Sequence, residues 1–310
     1  MRGTAIGIAM MLALGLPAMA MAQASVATIR QCANFGGHYG GDDIITACSA
    51  VIEAGNLPKA LLADAYVRRS KVYIEREQYE LALADEDAAI RVDPGLAAAY
   101  SNRGYIYLIQ GDNQRALKEL DEAIRLRPDM GQAYVNRGVA LIALRQFDRA
   151  VADFRRATVL KQGSAKVYLG LSAAYVALKQ FDNAVAADNE MIRLEPSNAM
   201  YFNQRCMDYA GLGQFGRALQ DCFTALRLAP GDPDILDSRG FVYLKSANYK
   251  AAIADYNAAL KRNPDLAASL YGRGIARLRS GDAAGQADID AALKLKPDVA
   301  QDLAVFGVTR

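Results

Sequence analysis

Residues 97–128 read AAAYSNRGYIYLIQGDNQRALKELDEAIRLRP. From Ala97 to Gln110 apolar residues recur three and four apart, the period of an amphipathic helix. Gly111-Asp112 then supplies a turn and a cap, and Gln114 to Arg127 reads as a second helix. Pro128 stops it, because proline has no amide hydrogen and its ring clashes with the preceding turn. The stretch returns along the chain at a spacing of 34 residues. Pro94, Pro128, Pro196, Pro230 and Pro264 share one grid; Gln162 interrupts it and Pro297 arrives one residue early. Aromatics recur at Tyr66, Tyr100, Tyr134, Tyr168 and Phe202, and alanine at Ala82, Ala116, Ala150, Ala184, Ala218 and Ala252. A period of this length predicts an all-α solenoid, in which no single repeat can bury its own apolar face.

The third copy reads Tyr134, Gly138, Leu141, Ala150, Phe154 and Ala157, and Asn-Arg-Gly stands at 102–104 and 136–138. Over residues 63–299, in seven registered copies, this resembles the tetratricopeptide repeat (TPR) pattern. The resemblance implies helix–turn–helix units stacked into a right-handed α-solenoid, with a concave groove lined by the first helix of each repeat. It implies no catalysis. The small column Ser70, Gly104, Gly138, Ser172, Cys206, Gly240 and Gly274 lets two helix backbones approach, and a bulky residue there would overpack the hairpin.

Residues 1–24 have the three-part layout of a secretory signal peptide. Arg2 starts it, Ala5 to Leu16 is apolar, Pro17 breaks the run, and small residues allow cleavage after Ala22 or Ala24. An uncleaved anchor is the alternative. After cleavage no integral membrane span is expected, and the protein is placed in a periplasm or secreted. Residues 25–62 read as a degenerate capping half-repeat and 300–310 as a C-terminal capping segment, with a closing helix over Asp298 to Phe306.

Two cysteine pairs share a separation of 16 residues: Cys32 with Cys48, and Cys206 with Cys222. Residues equidistant from the turn of an antiparallel hairpin lie level, so each pair is placed for a disulfide. An exported protein meets the oxidising conditions that permit one. Cys206 also fits as a small buried residue, which leaves its bonding open.

Arginine stands just before the small column, where the family usually has leucine. The residue level with it across the turn is acidic. Six ion pairs are therefore expected: Arg69–Asp85, Arg103–Glu119, Arg137–Asp153, Arg205–Asp221, Arg239–Asp255 and Arg273–Asp288. The fourth repeat loses both partners together, having Leu171 and Ala187. An anion-binding arginine row facing the groove is the competing reading.

For the groove itself, the expected partner-binding residues are Ser101, Asn102, Tyr105, Val135, Asn136, Val139, Leu169, Asn203, Met207 and Phe241. An extended or helical protein segment is the expected ligand. Contact between neighbouring repeats would account for the apolar members equally well. With 36 basic against 34 acidic residues, no nucleic-acid partner is expected. A single histidine, His38 in a glycine-rich turn, gives little scope for a catalytic triad or metal centre, and no cofactor is expected. The expected function is a non-catalytic scaffold of the bacterial cell envelope. The alternative is a binding protein for a non-protein envelope component such as a polysaccharide, against which the absence of tryptophan weighs while sixteen tyrosines keep it open.

Overall fold

The computed structural model describes residues 25–34, 37–55 and 57–304. The expected signal segment 1–24 and residues 305–310, including Phe306, lie outside them. Among the described residues there are seventeen helices and no strand. The chain divides into two compact units, one ending at Ile106 and the other starting at Tyr107.

In the first unit α1 (Val26–Cys32) packs on α2 (Gly41–Ala54), α2 on α3 (Lys59–Glu75), and α3 on α4 (Tyr79–Val92). The opening hairpin has its own small core of Cys32, Ala47, Cys48, Val51 and Ala65. Helix α5 (Ala97–Ile109) contains the boundary between the units. In the second unit α6 (Asn113–Leu126) packs on α7 (Gly131–Ala143). Hairpins follow as α7 with α8 (Phe147–Val159), α9 (Ala165–Ala177) with α10 (Phe181–Leu194), and α11 (Ala199–Gly211) with α12 (Phe215–Leu228). The last are α13 (Pro233–Lys245) with α14 (Tyr249–Arg262) and α15 (Ala267–Arg279) with α16 (Gly285–Leu295). Helix α17 (Val299–Ala304) inserts Val299 into the last apolar cluster, and the rest of the expected closing helix, as far as Phe306, lies outside the described residues.

From α3 and α4 onward the hairpins turn in the same way. Residues 77, 111, 145, 179, 213, 247 and 281 all have positive φ, at the 34-residue spacing of the sequence. The amide one residue later bonds back across the turn, as in Gln146 N to Leu141 O at 2.8 Å and Gln180 N to Tyr175 O at 2.8 Å. That is a Schellman-type ending, in which a left-handed residue lets the helix satisfy its last carbonyls. Only Gly111, Gly213 and Gly281 avoid the steric cost; Glu77, Arg145, Lys179 and Ala247 bear it.

The packing rule inside a hairpin is equally regular. A large residue of the second helix seats against the small column sixteen residues before it. A Cβ on Gly138 would lie 2.8 Å from Phe154 Cζ, and one on Gly240 would lie 3.0 Å from Tyr256 Cε1. The next repeat closes over the same ring, since a Cβ on Gly170 would clash with Phe154 and one on Gly272 with Tyr256. Each aromatic is thus clamped between two glycines, sixteen residues before and sixteen after.

Candidate partner-binding face

The arginines form a lattice rather than a row of free cations. In the second unit Arg137 Nε and Nη2 each donate to Asp153 at 2.7 Å, and Arg205 takes Asp221 at 2.7 and 2.8 Å. Arg239 engages Asp255 and Arg273 engages Asp288 in the same two-pronged way, as Arg69 engages Asp85 in the first unit. These pairs are largely removed from water. The carboxylate fork raises the arginine pKa further above its ordinary value, against burial, as at Arg137 and Arg239. The expected pair Arg103–Glu119 spans the two units and remains an expectation.

The remaining guanidinium nitrogen holds a partner that sequence reading missed. Arg137 Nη1 reaches Asp121 at 2.8 Å, Arg205 Nη1 reaches Asn189 at 2.7 Å and Arg273 Nη1 reaches Asn257 at 2.8 Å. In the first unit Arg103 Nη1 meets Asp87 at 2.6 Å and Arg69 Nη1 meets Ser49 at 2.8 Å. All but Ser49 lie sixteen residues before their arginine, on the second helix of the preceding repeat, so each arginine ties two repeats together. At the corresponding place before Arg239 stands Phe223, whose ring lies 4.9 Å from the guanidinium. Before Leu171 it is Arg155, so the fourth repeat departs from the pattern at all three positions. The signal was present in the sequence as a second acidic or amide column.

Both cysteine pairs are within bonding distance. Cys32 and Cys48 have their sulfurs 2.08 Å apart, Cys206 and Cys222 2.05 Å, and all four residues are buried. Cys206–Cys222 occupies the small-column and large-residue positions that Gly138 and Phe154 hold two repeats earlier in the pattern.

Of the ten expected groove residues, four are not offered to a partner. Ser101, Asn136, Asn203 and Phe241 are buried. Asn136 accepts a hydrogen bond from Gln132 at 2.9 Å, and Phe241 packs in one core with Tyr271 and Ile275. Asn102, partly buried, spends its amide on Glu86 at 2.8 Å. Val135 and Met207 are half-covered and pack against the apolar clusters. Tyr105 in the first unit is exposed, as are Val139 on α7 and Leu169 on α9 in the second, at 47 % and 44 %. Ala173 of α9 is exposed as well, and α7 packs directly on α9. Val139, Leu169 and Ala173 therefore leave an apolar face on two adjoining first helices.

A second feature was not anticipated. Where the small column holds serine, the level residue of the second helix is acidic: Ser70 with Glu86, and Ser172 with Asp188. Glu86 is fully buried, takes hydrogen bonds from Ser70 and Asn102 on Oε1, and is pushed up to about 8 by loss of solvent. Burial also pushes Asp188 up to about 9, and Asp237, which accepts from Ser269 at 2.5 Å, up to about 6. The covariation of serine with an acid sixteen residues on was the available signal.

A chain of level-paired helical hairpins repeating every 34 residues defines a helical-repeat binding scaffold. The tetratricopeptide repeat family model matches residues 67–131, 107–165, 135–199 and 239–300, more than half of the chain. The protein belongs to the tetratricopeptide repeat family. Among curated proteins none matches it. Its fold is similar to the crystal structure of YrrB, described as a TPR protein with an unusual peptide-binding site, at 21 % identity and a TM-score of 0.54. That match covers 61 % of this chain and 97 % of the other. A tetratricopeptide repeat protein from Parabacteroides merdae is 17 % identical with a TM-score of 0.53, covering 81 % of this chain and 97 % of its own. PilF of Pseudomonas aeruginosa is 15 % identical with a TM-score of 0.55, covering 66 % and 94 %. No helix among the described residues is long and apolar enough to cross a membrane.

Proposed function

We propose that the protein is a non-catalytic scaffold of the bacterial cell envelope that holds a segment of a partner protein against the first helices of its second unit. The observation that carries this is the exposed apolar face of Val139, Leu169 and Ala173 on α7 and α9, beside Arg137, each of whose three nitrogens is engaged by Asp153 or Asp121. An anion would meet a guanidinium already neutralised by two carboxylates at Arg137, whereas an apolar side chain of a helical or extended segment would find an uncovered surface. A peptide-binding site in a protein of the same fold, YrrB, supports that choice of ligand. Export is supported by the signal-like residues 1–24 and by two cysteine pairs at disulfide distance.

Photo-crosslinking in intact cells, with the reactive group at Val139 or Leu169, tests the reading. A discrete protein adduct at both positions, absent when the group is at Val159 of α8, is the expected result. Recovery of glycan alone, or of no adduct at either position, overturns it.

A further inference from the structure

Among the described residues of the second unit two apolar clusters stand apart. One cluster runs through Phe154, Val167, Leu171 and Ala187, and another through Cys206, Cys222, Phe241 and Tyr256. Between them, where α9 and α10 meet α11, the interior is polar. Asp188 of α10 and Asp208 of α11 are both fully buried on helices that pack together, and their carboxyl groups face one another. Ser172 of α9 donates to Asp208 Oδ2 at 3.2 Å, and Gln204 donates to the same oxygen at 3.4 Å. Among the described residues no well-formed hydrogen bond reaches either oxygen of Asp188 or Oδ1 of Asp208, and the nearby Ser172 hydroxyl offsets only a small part of the cost of burying Asp188.

The surrounding charges do not neutralise the pair. Arg205 is the cation acting on Asp188, but its three nitrogens are engaged by Asp221 of α12 and by Asn189. On α9 the one charged residue, Lys166, is exposed; on α10 Asp182 is exposed and Glu190 is held by Arg193. On α12 Arg217 donates to Gln214 and Arg227 to Thr224. On α13 Arg239 and Asp237 are taken by Asp255 and Ser269, Asp234 is exposed and Lys245 is half-buried. Two ionised carboxylates in this setting would repel one another without water to screen them. One shared proton turns that repulsion into a charge-assisted O–H to O⁻ hydrogen bond.

We propose that this joint is a proton-dependent latch: a proton held between Asp188 and Asp208 keeps the fourth and fifth repeats packed, and its loss loosens them. The hydrogen bond from Ser172 to Asp208 bridges α9 to α11 across the latch, where the first helices of other adjoining repeats, such as α11 and α13, pack directly. Loss of solvent, then the neighbouring carboxylate, pushes Asp188 up to about 9, and loss of solvent raises Asp208 against the hydrogen bonds that it accepts. A carboxyl group that is protonated in the fold and ionised in the unfolded chain makes stability fall as pH rises above the ordinary carboxylate range. The fall ends once the folded pair has itself ionised.

Infrared spectra at neutral pH and thermal midpoints across the range from about pH 6 to pH 9 test this on the full chain. Expected are a protonated-carboxyl band that Asp188→Asn weakens, the buried Glu86 supplying what remains, and a midpoint that falls with pH more steeply in the wild type than in the variant. Asp208→Asn gives the same pair of readings if Asp188→Asn does not fold. A band of equal strength in the wild type and the variant overturns the latch, as do equal pH slopes. A calcium-induced rise in the wild-type midpoint that Asp188→Asn abolishes also overturns it, since a cation rather than a proton would then join the pair.

Discussion

Arg137 grips Asp153 through two nitrogens at 2.7 Å each while its third nitrogen holds Asp121 of the preceding repeat at 2.8 Å. One side chain therefore closes its own hairpin and ties it to its neighbour. The two halves of the grip differ in environment. Asp153 is 7 % exposed and Asp121 47 %. Removing Asp153 by Asp153→Ala strands a desolvated guanidinium and should cost about 3–5 kcal/mol. Asp121→Ala should cost about 0–1 kcal/mol, because water replaces the lost partner. Urea unfolding of the two variants checks the order, and a double-mutant cycle on Arg137 and Asp153 with no coupling would reject the buried grip.

Phe154 sits between Gly138 and Gly170 with no room for a Cβ on either. Gly138→Ala should destabilise by about 1–3 kcal/mol through overpacking. The loss should shrink when Phe154→Leu is added, because the smaller side chain reopens the slot. Equal losses in both backgrounds would show that the glycine serves something other than the ring.

Ala247 has φ of 58° at the turn between α13 and α14, where Gly213 stands one repeat earlier. Relief of the left-handed strain competes with the greater freedom of glycine in the unfolded chain. Ala247→Gly should stabilise by up to about 1 kcal/mol, and Ala247→Val should destabilise. Chemical denaturation midpoints decide it.

Glu86, pushed up to about 8 by burial, gives the first unit its own pH dependence. Its folded pKa lies above its unfolded value, so its stabilising contribution is complete below the ordinary glutamate pKa and is lost as pH rises towards about 8. Glu86→Gln keeps an oxygen for Ser70 and Asn102 without the ionisation. The variant should be the more stable of the two at alkaline pH and show a flatter profile. A steeper or unchanged pH profile in the variant contradicts the assignment.

Much of the architecture was legible because the repeat states each constraint several times. The helices expected at Ala97–Gln110 and Gln114–Arg127 form as Ala97–Ile109 and Asn113–Leu126. The level rule about the turn placed Cys206 opposite Cys222 and Arg205 opposite Asp221. Burial within a column was not legible, because it depends on what the next repeat lays over it. Val139 and Phe241 share a column, yet Val139 is open while Phe241 lies under Tyr271 and Ile275 in one core. The links from Arg137 to Asp121 and from Arg205 to Asn189 escaped notice because they join neighbouring repeats rather than the two halves of one hairpin. Glu86 and Asp188 fall where other repeats carry Leu120, Phe154 and Tyr256, so their burial follows from the grid, but their charge conceals it.

The most direct test of the scaffold reading is the affinity of the crosslinked partner segment for Val139→Glu and Leu169→Glu variants, with Val159→Glu on α8 as the control. All three sites are exposed, so each substitution leaves the core intact. A charge on α7 or α9 should weaken binding by tenfold or more, equivalent to about 1.4 kcal/mol, while the change on α8 leaves it unaltered. Equal affinity for all three variants would place the partner elsewhere and contradict the account.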